Sequence, residues 1–212
     1  MDSLLTVAPA FADWTLTGVM GLCIAATCGL RAFLPLLMVS ILALSGRVEL
    51  NESFSFLGSW PALAMFATAS IAEVSGDKVP GFDHLMDACG VALKPAAATV
   101  AAGAFFADVE PLTALALGLV GGGLSASAIG LAKAKARLWS SGLTAGLGNS
   151  VLSLGEDVVV IGGLGITALA PMLALGVVAF CLTTAVVLVM ARRQRRRGQM
   201  LLRAIPVRAE RL

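Results

Sequence analysis

The chain has 212 residues, of which 58% are hydrophobic and 13% charged, with a net charge of +2 and a mean hydropathy of +0.92. That leaves too little polar surface to coat a soluble globule of this size, so lipid must cover the remainder. Ala, Gly and Leu dominate, Tyr is absent and no stretch alternates like a lipid-facing barrel strand, so the expected class is an all-α integral membrane protein.

Met1 to Asp13 carries two Asp and no Lys or Arg, unlike the basic start of a cleaved signal peptide, so the first apolar segment is expected to stay as a helix. That segment runs from Trp14 to Ser45 and is interrupted only by Arg31. It exceeds one straight crossing at about 1.5 Å per residue, which predicts a tilt, kink or break between Gly29 and Pro35. A second span is predicted from Phe54 to Glu73, with Trp60 at the interface and Pro61 in the first turn. The most polar stretch, Glu73 to Asp87, follows, and then a third span, Ala88 to Ala107, with Lys94 near its start. The fourth is predicted from Pro111 through Gly121-Gly122-Gly123 to Ala132, closing on Lys133, Lys135 and Arg137. A fifth, Leu138 to Leu169, holds Glu156 and Asp157 in its interior and is Gly-rich enough to be discontinuous. The sixth runs from Pro171 to Arg192, ahead of a basic tail over 192–212.

With both termini cytoplasmic, the inside loops hold Lys78, Lys94, Lys133, Lys135, Arg137 and the tail, whereas the outside loops hold Arg47 alone. This charge bias favours about six spans over seven, and the basic tail is expected to touch anionic headgroups. A nucleic-acid role for the tail is not needed to explain it. The expected location is a bacterial inner membrane.

The two halves, 1–110 and 111–191, share an ordered set of short matches. Gly21 to Leu30 matches Gly122 to Leu131 in glycine spacing, Ser70-Ile-Ala-Glu73 matches Ser153-Leu-Gly-Glu156, and Leu93-Lys-Pro95 matches Leu169-Ala-Pro171. Three spans per half is an odd number, so the second copy would insert upside down, giving two inverted three-helix repeats with broken or re-entrant segments.

Glu73 and Glu156 occupy matching places at apolar spans, where a carboxylate costs roughly 2.5–3.5 kcal/mol and is paired, protonated or beside water. Glu73 and Asp77 are four apart and would share a helix face, while Glu156 and Asp157 diverge unless their helix breaks. Together with Arg31 these form the candidate cation or proton pathway; the structural alternative pairs Arg31 with Glu156 or Glu73 to hold helices together. Asp83, His84 and Asp87, beside Lys78, form a secondary polar cluster. Metal binding there is chemically open, but neighbouring helical residues point about 100° apart and no second His or Cys set accompanies them. The four cysteines show no paired spacing, and no cofactor fingerprint or nucleophile triad is present.

Gly29-Leu-Arg-Ala-Phe-Leu-Pro35, the Asp77-Lys-Val-Pro-Gly-Phe-Asp-His84 core and Ser153-Leu-Gly-Glu-Asp157 resemble a family of small bacterial and plastid membrane proteins, domain of unknown function 4126. The resemblance spans nearly the whole chain and implies a polytopic membrane protein without supplying an activity. A weaker likeness is to cation/proton exchangers with a Glu-x-Gly-Asp-Lys-Thr motif in each inverted half. Glu73-Val-Ser-Gly-Asp77-Lys78-Val79 has one residue more and lacks the hydroxyl, and Gly155-Glu156-Asp157 lacks the Lys. The expected function is a small transporter or channel, cation- or proton-coupled through these carboxylates. The alternative is a non-transporting scaffold or lipid-handling protein whose ion pairs are structural. Partners are the bilayer, a small ion or solute, and, from the Gly-rich faces, a second copy of the chain.

Overall fold

A computed structural model describes residues 2–78, 82–144, 147–174 and 176–180, with Thr183, Thr184, Val187 and Met190 beyond them. Side-chain surroundings are described from Thr15 onward; those of Asp83, His84 and Asp87 and the whole 192–212 tail lie outside the described residues. Met1–Leu175 forms one compact unit and Gly176–Leu212 another. Within the second, the hydroxyls of Thr183 and Thr184 donate one turn back to the carbonyls of Ala179 and Phe180 at 2.7 and 2.8 Å.

Every regular element among the described residues is helical: α1 Asp2–Thr27, α2 Phe33–Leu44, a 3-10 turn Glu52–Gly58, α3 Trp60–Gly76, α4 Phe82–Ala104, α5 Pro111–Leu117, a π segment Gly118–Gly123, α6 Leu124–Thr144 and α7 Leu147–Leu169. The first apolar segment breaks at Cys28–Ala32, between α1 and α2, overlapping the start of the predicted Gly29–Pro35 window. Gly46, at φ 68°, closes α2: Arg47 N–H returns to the Leu42 carbonyl and Gly46 N–H to that of Ala43, and glycine adopts this left-handed backbone without a Cβ penalty.

Two helices, Pro111–Thr144 and Gly148–Leu169, are long and apolar enough to cross a membrane, and a third crossing results if the 3-10 turn and α3 are joined across their 68° bend. Two to three of the expected six spans are therefore seen among the described residues, and the sixth, Pro171 to Arg192, lies partly outside them. The physical reasons are local. The α1–α2 break leaves two short apolar helices, extended Ser59 bends the second segment, and the apolar part of α4 covers only Ala88–Ala104. The predicted boundary between the fourth and fifth spans is also displaced. Lys133, Lys135 and Arg137 lie inside α6, which carries Leu138 to Thr144 as well, and α7 stays helical through Glu156 and Asp157.

An apolar core of Ile24, Val39, Leu57 and Phe66 lies beside a second, polar interior formed by α6 and α7. On α7 the buried residues Asn149, Ser153, Asp157, Val160, Leu164 and Thr167 recur every three to four positions, while Val151, Leu154, Val158 and Ile161 are exposed. On α6 Lys133 and Arg137 are buried and Leu131, Leu138, Trp139 and Leu143 face outward. Apolar exteriors of this extent around polar interiors suit lipid as the surrounding medium.

The π segment packs against α4 with no room for side chains. Leu124 N–H returns five residues to the Leu119 carbonyl. A Cβ on Gly122 would meet the Ala98 carbonyl oxygen, with Ala102 Cβ at 2.9 Å and Ala25 Cβ at 3.0 Å. At the start of the same long helix, exposed Glu110 caps α5 by accepting from Thr113 N–H at 3.1 Å and from its hydroxyl at 3.0 Å. The N–H groups of Thr113 and Leu112 and the Thr113 hydroxyl hold its carboxyl below the usual range.

Gly122→Leu should therefore lower stability by about 1–3 kcal/mol through overpacking. Gly142→Ala, with open space at the added Cβ, should raise it by about 0.5–1 kcal/mol, both read by thermal unfolding in detergent. Because the folded carboxyl of Glu110 titrates low, its capping contribution should be present above the unfolded value, about 4.3, and fade as pH falls through the folded value. A carboxyl titration midpoint below that of a model peptide checks this.

Candidate functional site

The break between α1 and α2 makes the site. Cys28, Gly29 and Leu30 turn back on the end of α1, and a Cβ on Gly29 would lie 2.6 Å from Ile129 Cβ and 2.7 Å from the Ala126 carbonyl oxygen. The glycine thus lets the broken backbone press against α6. Arg31 then points inward and is fully buried.

The Arg31 guanidinium ties three elements. Its Nη1 donates to Asp77 Oδ2 at 2.5 Å and to the Glu73 backbone carbonyl at 3.3 Å. Its Nη2 donates to Ser153 Oγ at 2.8 Å and lies 2.7 Å from Asp157 Oδ1. Asp77 Oδ2 also receives Arg137 Nη2 at 3.0 Å and Lys133 Nζ at 3.5 Å. Glu156 Oε2 takes the same two α6 cations, Lys133 at 2.9 Å and Arg137 at 3.2 Å, and Lys78 reaches Asp157 Oδ2 at 3.4 Å.

Glu73 is held differently. Ala32, which precedes α2, makes no side-chain cap, and the first N–H groups of that helix look for an acceptor. Glu73 supplies it from α3: Oε1 accepts Ala32 N–H at 2.8 Å and Oε2 accepts Phe33 N–H at 3.0 Å. The positive end of α2 therefore sits on a carboxylate from another helix.

The five leading sequence candidates, Arg31, Glu73, Asp77, Glu156 and Asp157, come together in one buried cluster. Arg31 pairs with Asp77 and Asp157, not with the side chains of Glu156 or Glu73 as expected. Glu156 and Asp157 do diverge, one toward α6 and the other toward Arg31, as adjacent residues on an unbroken helix must. Lys133 and Arg137, read from the sequence as loop cations that fix topology, are members of the cluster, whereas Lys135 between them is exposed. Their i, i+4 spacing was the available signal, since it puts both on one face and Lys135 on another. Lys78 joins the cluster edge, half in solvent. How Asp83, His84 and Asp87 relate to it lies outside the described residues. Among the described residues no three His, Cys, Asp or Glu side chains gather as a metal site, and Cys23, Cys28 and Cys89 are free thiols.

Breaking one side of a buried ion pair strands the partner's charge, at a cost of about 3–5 kcal/mol. Arg31→Ala should cost part of that, because it takes a guanidinium from both acids and leaves Asp77 to Arg137 and Lys133 and Asp157 to the half-exposed Lys78. Arg31→Lys should recover only part of it, since one ammonium lacks the fork that reaches both acids. Thermal unfolding of the two variants checks the order.

The match to a family model covers residues 19–191, which includes the break, α3, α6, α7 and all eight charged residues of the cluster. No curated protein and no solved structure matches the chain. The chain belongs to the family described as Domain of unknown function (DUF4126).

Proposed function

We propose that the protein is a small membrane transporter or channel whose path runs through the buried cluster, with protonation of a carboxylate as the coupling event. The observation that carries this reading is the broken helix at Cys28–Ala32 meeting four acids and four bases inside helices with apolar exteriors. Irregular backbone at membrane depth is tolerated where protein or a water-filled cavity surrounds it, and transporters bind solutes at such breaks. Stability alone gives a weak reason for the charges, because apolar residues of similar volume commonly replace a buried ion-pair network without loss.

Protons suit the coupling role better than metal cations here. Each carboxylate of the cluster already holds a guanidinium, an ammonium or two backbone N–H groups. A metal ion would have to displace these partners, whereas a proton joins the carboxylate and releases them. The finer architecture belongs to the same reading. Arg31 directly follows Gly29-Leu30, Lys133 stands one residue further on after Gly130-Leu131-Ala132, and Glu73 and Glu156 match in turn. We read these as two inverted halves, 1–110 and 111–191, in a six-span protein of a bacterial inner membrane. Both termini are then cytoplasmic, with the basic tail and Lys135 on anionic headgroups.

A second reading has its own observation. Among the described residues the four acids of the cluster, Glu73, Asp77, Glu156 and Asp157, equal its four bases, Arg31, Lys78, Lys133 and Arg137, in number, which suits a structural lock in a scaffold or lipid-handling protein. Flux in proteoliposomes, followed with a pH dye and a divalent-cation dye, separates the two. The transport reading expects proton-linked flux in the wild type that falls at least tenfold in Glu73→Gln and in Glu156→Gln. Absence of flux in correctly folded wild type across a broad solute panel would favour the lock.

A further inference from the structure

Three cations from two elements converge on one oxygen of Asp77: Arg31 from the α1–α2 break, and Lys133 and Arg137 from α6. Each of the three also holds something else. Arg31 keeps Ser153 and Asp157, Lys133 keeps Glu156 and the Leu30 carbonyl, and Arg137 keeps Glu156. Removing the Asp77 carboxylate would therefore leave the cationic cradle in place, arranged before any ligand arrives. Asp77 itself sits in the turn just past the last residue of α3, anchored by a backbone bond to the Glu73 carbonyl.

Withdrawing Asp77 takes one negative charge from among Arg31, Lys133 and Arg137, and a monovalent anion in its place restores that charge. Arg31 Nε is buried without a hydrogen-bond partner among the described residues, a spare donor in the same guanidinium. A cavity of about 240 Å³ between α4 and α6 reaches the cluster at Lys133. Its described lining adds a second buried ammonium, Lys94, and the Ser127 hydroxyl.

We propose that the Asp77 carboxylate is the tethered occupant of a seat for the carboxylate or oxyanion group of a small anionic solute, which reaches it through the α4–α6 cavity. The solute displaces Asp77 and accepts from the same three cations. This assignment of substrate class rests on the transport reading above, with the proton and the anion moving through one cluster.

The test uses the full chain in detergent and sodium acetate and sodium phosphate as probes, with sodium chloride at matched ionic strength as the reference. Asp77→Ala empties the seat without touching its cradle. It should melt below the wild type and regain stability saturably with acetate or phosphate, with an apparent Kd at least tenfold lower than in the wild type, where Asp77 competes. Response to acetate alone assigns an organic carboxylate, and response to phosphate an inorganic oxyanion. If Asp77→Ala does not fold, the wild type decides by itself: a saturable upward shift beyond that of chloride supports the seat, and its absence overturns it. Equal responses to all three salts in both proteins also overturn it. A saturable response without flux would remove the transport reading and leave the anion seat. Flux without any response would do the reverse.

Discussion

The fully buried guanidinium of Arg31 is the constraint on which the rest of this structure depends. A cation there requires carboxylates within reach, and they arrive from two distant elements, Asp77 at the end of α3 and Asp157 in the middle of α7. It also requires a backbone that can turn it inward. The break at Cys28–Ala32 provides that, and Gly29 lets the broken segment pack on α6. A helix interrupted inside an apolar protein exposes N–H groups, and Glu73 satisfies two of them. The first turn of α2, the end of α3, and the polar faces of α6 and α7 thus meet around one charge in the first apolar segment.

The same logic explains why these helices look inverted beside those of a soluble protein. In α6 and α7 the i, i+3, i+4 stripe that faces inward carries Lys133, Arg137, Ser153 and Asp157 beside Val160 and Leu164, while most of the other leucines and valines face out. Helix contact in lipid gains little from apolar burial, so small residues and polar pairs do the joining. The contact between Gly118–Gly123 and α4 is of the first kind and the charged cluster of the second. The two are neighbours along one long helix.

Much of this was legible in the sequence. Composition alone set the helical class, the length of Trp14 to Ser45 demanded a break where Gly29 and Pro35 flank Arg31, and isolated acids in apolar runs marked Glu73 and Glu156. What escaped was long-range. Hydropathy treats Lys133 and Arg137 as the end of a span, because a window average cannot distinguish a buried cation with a partner 56 or 60 residues away from one in a loop. The pairing of Arg31 with Asp77 and Asp157 escaped for the same reason, as did the role of Glu73 as the cap of another helix. The bend at Ser59 was hidden by good local chemistry, since Ser59 and Pro61 form an ordinary helix start.

We propose that the cluster's charges serve a path and a switch, and that apolar residues of similar volume, introduced together, hold the same fold. The most direct measurement replaces six of the seven ion-paired members together with apolar residues of similar volume, Arg31→Met, Lys133→Met, Arg137→Met, Asp77→Leu, Glu156→Leu and Asp157→Leu, and keeps half-exposed Lys78 and, as the cap of α2, Glu73. Thermal unfolding and proteoliposome flux are then read on the same preparation. The account predicts a folded protein that melts near the wild type and carries no flux. A folded variant that carries wild-type flux would contradict it, because the path would then lie elsewhere.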